Sequence, residues 1–351
     1  MKKLFLLLTL TALVFSSIGQ GIVFEENMTI EQAIEKAKAE NKYVFVDIYT
    51  NWCGPCKMME KQIFPMKEIG DYFNSRFVSL KMNAEVGEEG PKFANKHGVK
   101  AYPTFVILNG NGELVHMFAG GVLNLGFIDK VADSFDNKKA FGVLKRRYES
   151  GEREPKLVAS YLQALMNTHT ANVAEMVDEL YDSLSDEEKI NEECLFVFDK
   201  FARVGSDREV FLRNNIDKFR KVADNDRIDE IVKNKYIEYF GLIIKNNSSQ
   251  VTTEEFEKVV DNFADYKLSD PGNISAFKVA ALYKLTGEGK ENCLNTIKSL
   301  ASKVTENEKN LMLYIVIPGL QNLLSNKEKE ELMAMVTNDT VKGYIIRQTN
   351  R

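Results

Sequence analysis

Residues 44–57 read VFVDIYTNWCGPCK, and the two ends of this stretch demand different backbones. From Tyr43 to Tyr49 the chain is β-rich without polar alternation, the pattern of a strand covered on both faces, and Asp47 is its one acid. Cys53 then closes a strand-to-helix turn and stands at the amino terminus of the helix that follows. Unpaired N–H groups and the helix dipole favour a thiolate there, so Cys53 is expected to be an acidic, reachable nucleophile. Cys56, one turn further in, is expected to be the resolving thiol.

A CxxC pair is also half of a zinc site. No second CxxC exists, and His97, His116 and His169 are scattered, so a tetrahedral site has no evident remaining ligands. The expectation is no metal, and no cofactor beyond a redox-active Cys53–Cys56 disulfide. His97 reads as a helix-terminus residue and His116 as a structural strand residue.

Working outward, Thr29 caps an expected helix over Thr29 to Asn41 with Ile30, Ala33, Ile34 and Ala37 on one face. Beyond the cysteines, Phe77 to Met82 reads as a second central strand, Gly90 to His97 as a short helix and Thr104 to Leu108 as a third strand. Asn109-Gly110-Asn111-Gly112 is a hairpin turn returning through Glu113 to Phe118. Leu125 to Phe135 closes the unit as a helix with Ile128, Val131, Ala132 and Phe135 inward. This order is that of an α/β sandwich around a mixed central sheet flanked by helices.

After Lys139 strand-like runs almost vanish. Ser185-Asp186-Glu187-Glu188 and Thr252-Thr253-Glu254-Glu255 are capping boxes, each followed by a spaced apolar stripe, and Gly205 and Gly287 sit where helices would end. Leu311 to Ile317 reads as a buried helix broken at Pro318. The expected domains are therefore residues 21–137, α/β, and residues 138–351, an all-α domain of helical hairpins without a repeat of fixed period. Cys194 and Cys293 lie 99 positions apart on apolar stripes of that region and read as buried thiols, the alternative being a disulfide between them if their Cα atoms come within about 7 Å.

The motif VFVDIYTNWCGPCK, followed by AYPTF at residues 101–105, resembles the thioredoxin family over about residues 24 to 136. The resemblance implies a thioredoxin-like fold and thiol-disulfide oxidoreductase activity on protein thiols and disulfides. It implies that Trp52 offers a flat contact surface, that Gly54-Pro55 sets the redox poise at the reducing end, and that Pro103 is cis. Tyr102 would then leave its backbone free to pair with an extended substrate segment. Asp47 matches the buried acid that helps move the proton of the resolving thiol, and Lys81 the strand lysine that pairs with it. A carboxylate in a covered strand should in any case have a raised pKa and serve as a general base. Two features depart from plain thioredoxin. The helix-kinking proline of that family would fall near Lys61, whereas Phe64-Pro65 lies one turn later, and Tyr102 is bulkier than usual. The region is more similar to thioredoxin-like domains attached to membrane thiol-reductant transporters and to their exported relatives.

Lys2 and Lys3, the apolar run Leu4 to Phe15 and the small-residue pattern Ser17-Ile18-Gly19 read as a signal peptide over residues 1–20. Export is expected, most naturally to the periplasm, with no membrane-spanning segment in the mature chain. The 351 residues carry 46 basic and 51 acidic side chains, a balance of -5 that speaks against nucleic acid as a partner. A reductant in an oxidising compartment needs a membrane donor to recharge Cys53 and Cys56. The rival reading is a client- or partner-binding protein whose helices do the work and whose α/β unit is a docking fold.

Overall fold

The structure, a computed structural model, describes residues 21–245, 251–268 and 272–349, and the expected signal peptide over residues 1–20 lies outside them. Its contacts divide the chain into one unit ending at Asp182 and a second beginning at Ser183.

The first unit is built on four strands: β1 (Tyr43–Tyr49), β2 (Phe77–Asn83), β3 (Thr104–Leu108) and β4 (Leu114–Ala119). They lie in the order β2-β1-β3-β4, with β1 parallel to β2 and the other two pairings antiparallel. All five inner residues of β1 are buried, as a strand with a neighbour on each side and cover on each face requires. Outside β2 the segment before the first helix adds a single parallel bridge, Phe24 to Ser79.

Helices cover the sheet. They are α1 (Ile30–Glu40), α2 (Gly54–Met58), α3 (Lys67–Asn74), α4 (Glu89–Lys96) and α5 (Gly126–Ala132), then α6 (Phe141–Glu149) and α7 (Pro155–Thr168); α8 (Ala174–Ser183) follows them in the chain. Thr29 caps α1 through a reciprocal pair with Gln32, and Asn41 ends it in the left-handed conformation. The core is aromatic: Phe45 stacks on Phe105 at 5.6 Å and Phe73 on Phe127 at 5.3 Å, with Met59, Ile63 and Phe64 packed into the same cluster. Each such ring is worth about 1.5–3 kcal/mol when fully buried.

Three details differ from the sequence expectation. Strand β2, expected to be central, stands at the edge of the four-strand order with only the Phe24–Ser79 bridge outside it among the described residues. Phe135 is 45% exposed, and Phe127 takes the inward place. The reason is a change of period: α5 stops at Ala132 and a 3-10 turn, Asp133–Phe135, follows, which rotates Phe135 off the helix face. The ring still meets Tyr43 edge-on at 5.2 Å. The first unit also runs past residue 137, because α6 and α7 pack on β4. The N–H of Phe141 donates to His116 Nδ1 at 3.1 Å and Arg146 Nη1 to the Leu114 carbonyl at 2.6 Å.

The second unit is helical throughout its described residues. Its helices are α9 (Asp186–Lys189), α10 (Leu195–Phe201), α11 (Asp207–Asn214), α12 (Ile216–Val222), α13 (Asn225–Lys245), α14 (Thr253–Ala264), α15 (Ile274–Thr286), α16 (Lys290–Ala301), α17 (Glu306–Gly319), α18 (Asn326–Met333) and α19 (Asp339–Thr349). Both expected capping boxes form, and Thr305 and Ser325 add two more. Helix α13 packs against α15 and α17. A buried polar knot braces the unit: Tyr266 donates its hydroxyl to Glu209 at 2.6 Å, and Lys235 Nζ donates to the carbonyls of Asp199 and Ala202 at 2.9 and 2.7 Å. Pro318 lies in the last turn of α17, where the helix ends at Gly319. Cys194 and Cys293 are buried thiols, and burial pushes Cys293 up to about 12. Among the described residues no helix is long and apolar enough to cross a membrane.

Candidate active site

The buried strand β1 ends at Tyr49, and four residues later Cys53 becomes the amino-terminal cap of α2. Its sulfur accepts the backbone N–H of Cys56 at 3.1 Å, so the cap is made by the reactive atom itself. Cys53 and Cys56 are joined as a disulfide. Helix α2 does not continue regularly. It passes into a π-helical turn, Met59–Ile63, closed by the Phe64 N–H on the Met59 carbonyl at 3.0 Å. That turn occupies the place where a kinking proline was expected near Lys61, and it sets Met59 and Ile63 into the aromatic core. The disulfide is thus anchored from both sides, by β1 and by the core residues of the turn.

Around the disulfide, Trp52 is 66% exposed and meets Tyr102 edge-on at 5.7 Å. Its indole N–H donates to Glu85 at 2.9 and 3.1 Å, and Glu85 is held in turn by Asn83, whose amide also donates to Asn51 at 3.0 Å. The Tyr102–Pro103 bond is cis and Pro103 is buried. The Pro103 carbonyl accepts from Gly120 at 2.8 Å, whereas the N–H and C=O of Tyr102 find no partner among the described residues. The loop after β4 runs so close to α2 that a Cβ at Gly121 would touch Pro55 and Met59 at 3.5 Å.

Beneath the disulfide lies Asp47, 2% exposed, with Lys81 directly opposite on β2 and Phe105 opposite on β3. Its Oδ1 and the hydroxyl of Thr50 have no hydrogen-bond partner among the described residues. Both line a cavity of about 90 Å³ together with Cys56, Glu60 and Lys81. Burial pushes the Asp47 carboxyl up to about 7, opposed by the charge of Lys81 and reinforced by that of Glu60.

A family model of the thioredoxin-like domain matches residues 30–132. Thioredoxin-1 of Drosophila melanogaster is 37% identical over 82 residues, which are 23% of this chain and 70% of that protein. The chain belongs to the thioredoxin family. Thioredoxin-T of the same fly is 34% identical over 82 residues, 23% of this chain and 48% of the relative, so the chain spans about half of that relative's length. A solved structure from Bacteroides thetaiotaomicron, named for a disulphide-isomerase, is 40% identical and covers 33% of this chain and 95% of its own, with a TM-score of 0.31.

For this thioredoxin-family chain, the structure brings Trp52, Cys53, Gly54, Pro55, Cys56, Tyr102 and Pro103 to one end of β1 and β3, with Asp47 below. Two expectations need correction. Lys81 lies opposite Asp47 in register, but its ion partner is Glu60, at 2.6 Å. Cys53, expected to be reachable, is 2% exposed in the disulfide form, and Cys56 is 7% exposed. Sequence reading missed Glu60, Glu85 and Asn83. A signal for Glu60 was present: it stands four residues after Cys56, on the same helical face. Glu85 and Asn83 reach the site only through tertiary packing and left no local signal.

Proposed function

We propose that the protein is an extracytoplasmic thiol-disulfide oxidoreductase acting on protein substrates, as a reductase or isomerase. The observation that carries this reading is the Cys53–Cys56 disulfide at a helix amino terminus, with a buried, unpartnered carboxyl on the side of the resolving cysteine. In the reducing direction the Cys53 thiolate attacks a substrate disulfide and displaces one substrate thiolate, forming a mixed disulfide. Asp47 takes the proton of Cys56, whose thiolate attacks Cys53 Sγ. The bond between Cys53 and the substrate breaks, the second substrate sulfur leaves as thiolate and is protonated, and the protein ends as the disulfide. Two electrons pass from protein to substrate. The unpartnered backbone of Tyr102 supports docking of an extended segment, with Trp52 as a flat wall beside it.

The amino-terminal apolar segment supports export to the periplasm, where a membrane thiol donor would recharge the pair. Reduction of insulin by dithiothreitol tests the chemistry. The intact protein should accelerate it and Cys53→Ser should not, while Cys56→Ala should accumulate substrates bound covalently through Cys53. Equal rates for intact protein and Cys53→Ser would overturn the reading in favour of a binding protein.

A further inference from the structure

Lys81 is held by three things, none of which is Asp47. Its ammonium bonds Glu60 at 2.6 Å and lies 5.0 Å from the Tyr49 ring centroid and 5.8 Å from that of Phe24. Glu60 reaches it because Cys56 and Glu60 are four residues apart on one face of the active-site helix, just as that helix enters its π turn. The Glu60 side chain is largely in solvent and that of Lys81 only about one quarter so, which places the pair on the outer side of the cavity whose inner wall is Asp47, Thr50 and Cys56. A lysine across from a buried acid would be drawn to it whenever that acid is ionised, since a buried carboxylate needs a paired charge.

We infer that Glu60 is a positioning residue for the exchange reaction, holding Lys81 off the Asp47 carboxyl across the cavity they share with Cys56. The inference rests on the exchange reading above and deepens it. A lysine bonded to Asp47 would keep the acid ionised and occupied by a cation. A lysine bonded to Glu60 leaves a carboxyl with an open oxygen and an appetite for a proton, facing the thiol that must lose one. The cavity is large enough to admit water between them. The titratable groups around Asp47 are Tyr49 on its own strand, Cys56, Lys57 and Glu60 on the active-site helix and turn, and Lys81 on β2, while β3 presents Phe105. Of these, Glu60 and Lys81 act on Asp47 in opposite senses.

The test is a carbon-13 carboxyl titration of Asp47 in the oxidised full chain between pH 4 and 10, for the wild type, Glu60→Gln, Lys81→Met and the double variant. With Glu60 neutral, Lys81 is released toward Asp47. The Asp47 midpoint should then fall by about one unit or more, the size expected when an opposite charge closes on a carboxylate. Lys81→Met should raise the midpoint. In the Lys81→Met background Glu60→Gln should shift it by a small fraction of its effect alone. An Asp47 midpoint unmoved by Glu60→Gln, or moved equally in both backgrounds, would overturn the inference. The titration needs no substrate, so a protein that failed to reduce insulin would sink the functional reading while these shifts still decided the role of Glu60.

Discussion

With one oxygen unpartnered and the side chain buried, the Asp47 carboxyl holds its proton up to about 7, against 3.8 for an unperturbed aspartate. The folded protein therefore binds more protons than the unfolded chain between those two values, and stability falls as pH rises through that window. Asp47→Asn removes the charge without changing the shape. It should stabilise the oxidised protein at pH 8 by up to about 4 kcal/mol and hardly at all at pH 4, read from urea unfolding at both pH values. A pH-independent difference would mean that Asp47 is not buried as a carboxyl. The same variant should slow release of the mixed disulfide, so stability and turnover move in opposite directions. Cys53 raises a second question at this scale, because the disulfide form exposes almost none of it. Reduction frees Sγ from Cys56. Iodoacetamide at pH 7 should then modify Cys53 at least ~10-fold faster than Cys56, with a midpoint below the ~8.5 of an ordinary thiol. Cys293, buried and pushed up to about 12, should stay unmodified in the folded chain. Cys53 as slow as Cys293 would end the case for exchange chemistry. The motif made Cys53, Cys56, Asp47 and Pro103 legible, because each is tied to the others by short spacing or by the AYPTF run. The partner of Lys81 was not legible, since register alone places Asp47 opposite it and only side-chain packing sends it to Glu60.

Elements long enough to show a period were legible, and among the short ones α4, β3 and β4 were legible while α3 was not. Strand β1, helix α1 and the boxed helix α14 carry either a continuous β-rich run or a cap with a stripe behind it, and the structure forms them where the sequence pointed. Helix α3 has eight residues and buries only Ile69, Gly70 and Phe73, too few turns for a 3.6-residue period to stand out. The π turn after α2 has no residue signature in the sequence either. It was visible only as the absence of a proline where one was expected. Helix α6 lies in the stretch expected to be helical as a whole, and its docking was not legible. Its glycine at position 142 lies so close to β4 that a Cβ there would fall 2.1 Å from the Leu114 carbonyl oxygen and 2.9 Å from that of Val115. Both obstacles are backbone, which cannot swing aside as a side chain does. Gly142→Ala should therefore push α6 off the strand and cost about 1–3 kcal/mol, seen as a lower melting temperature with the Cys53–Cys56 disulfide intact. A variant that melts with the wild type would show that α6 is not seated on β4 in solution.

On the scale of the whole chain, a change of texture after Lys139 marks where strands end, and the sequence reading put a domain boundary there. Packing puts the division later. Leu144 and Leu157 are buried in the first unit, Phe141 stacks on Tyr161 at 6.2 Å, and Tyr148 stacks on Tyr161 at 4.6 Å. The outer strand β4 uses this layer as its cover: His116 is 5% exposed, and its Nδ1 accepts the Phe141 N–H. Secondary-structure type cannot reveal such an arrangement, because a helix that completes an α/β unit and a helix that opens an all-α unit have the same local pattern. The two boundaries make different predictions for fragments. A fragment of residues 21–182 should unfold cooperatively and keep the disulfide-exchange activity proposed for the intact chain. A fragment of residues 21–137 loses the apolar cover of β4 together with the bonds to His116 and to the Leu114 carbonyl. Stripping apolar area costs about 25 cal/mol for each Å², and His116 is left without a donor, so the shorter fragment should melt earlier or aggregate. Equal urea midpoints for the two fragments would restore the boundary at 137 and assign α6 and α7 to the helical region, because a layer that contributes to the α/β core cannot be removed without lowering its stability.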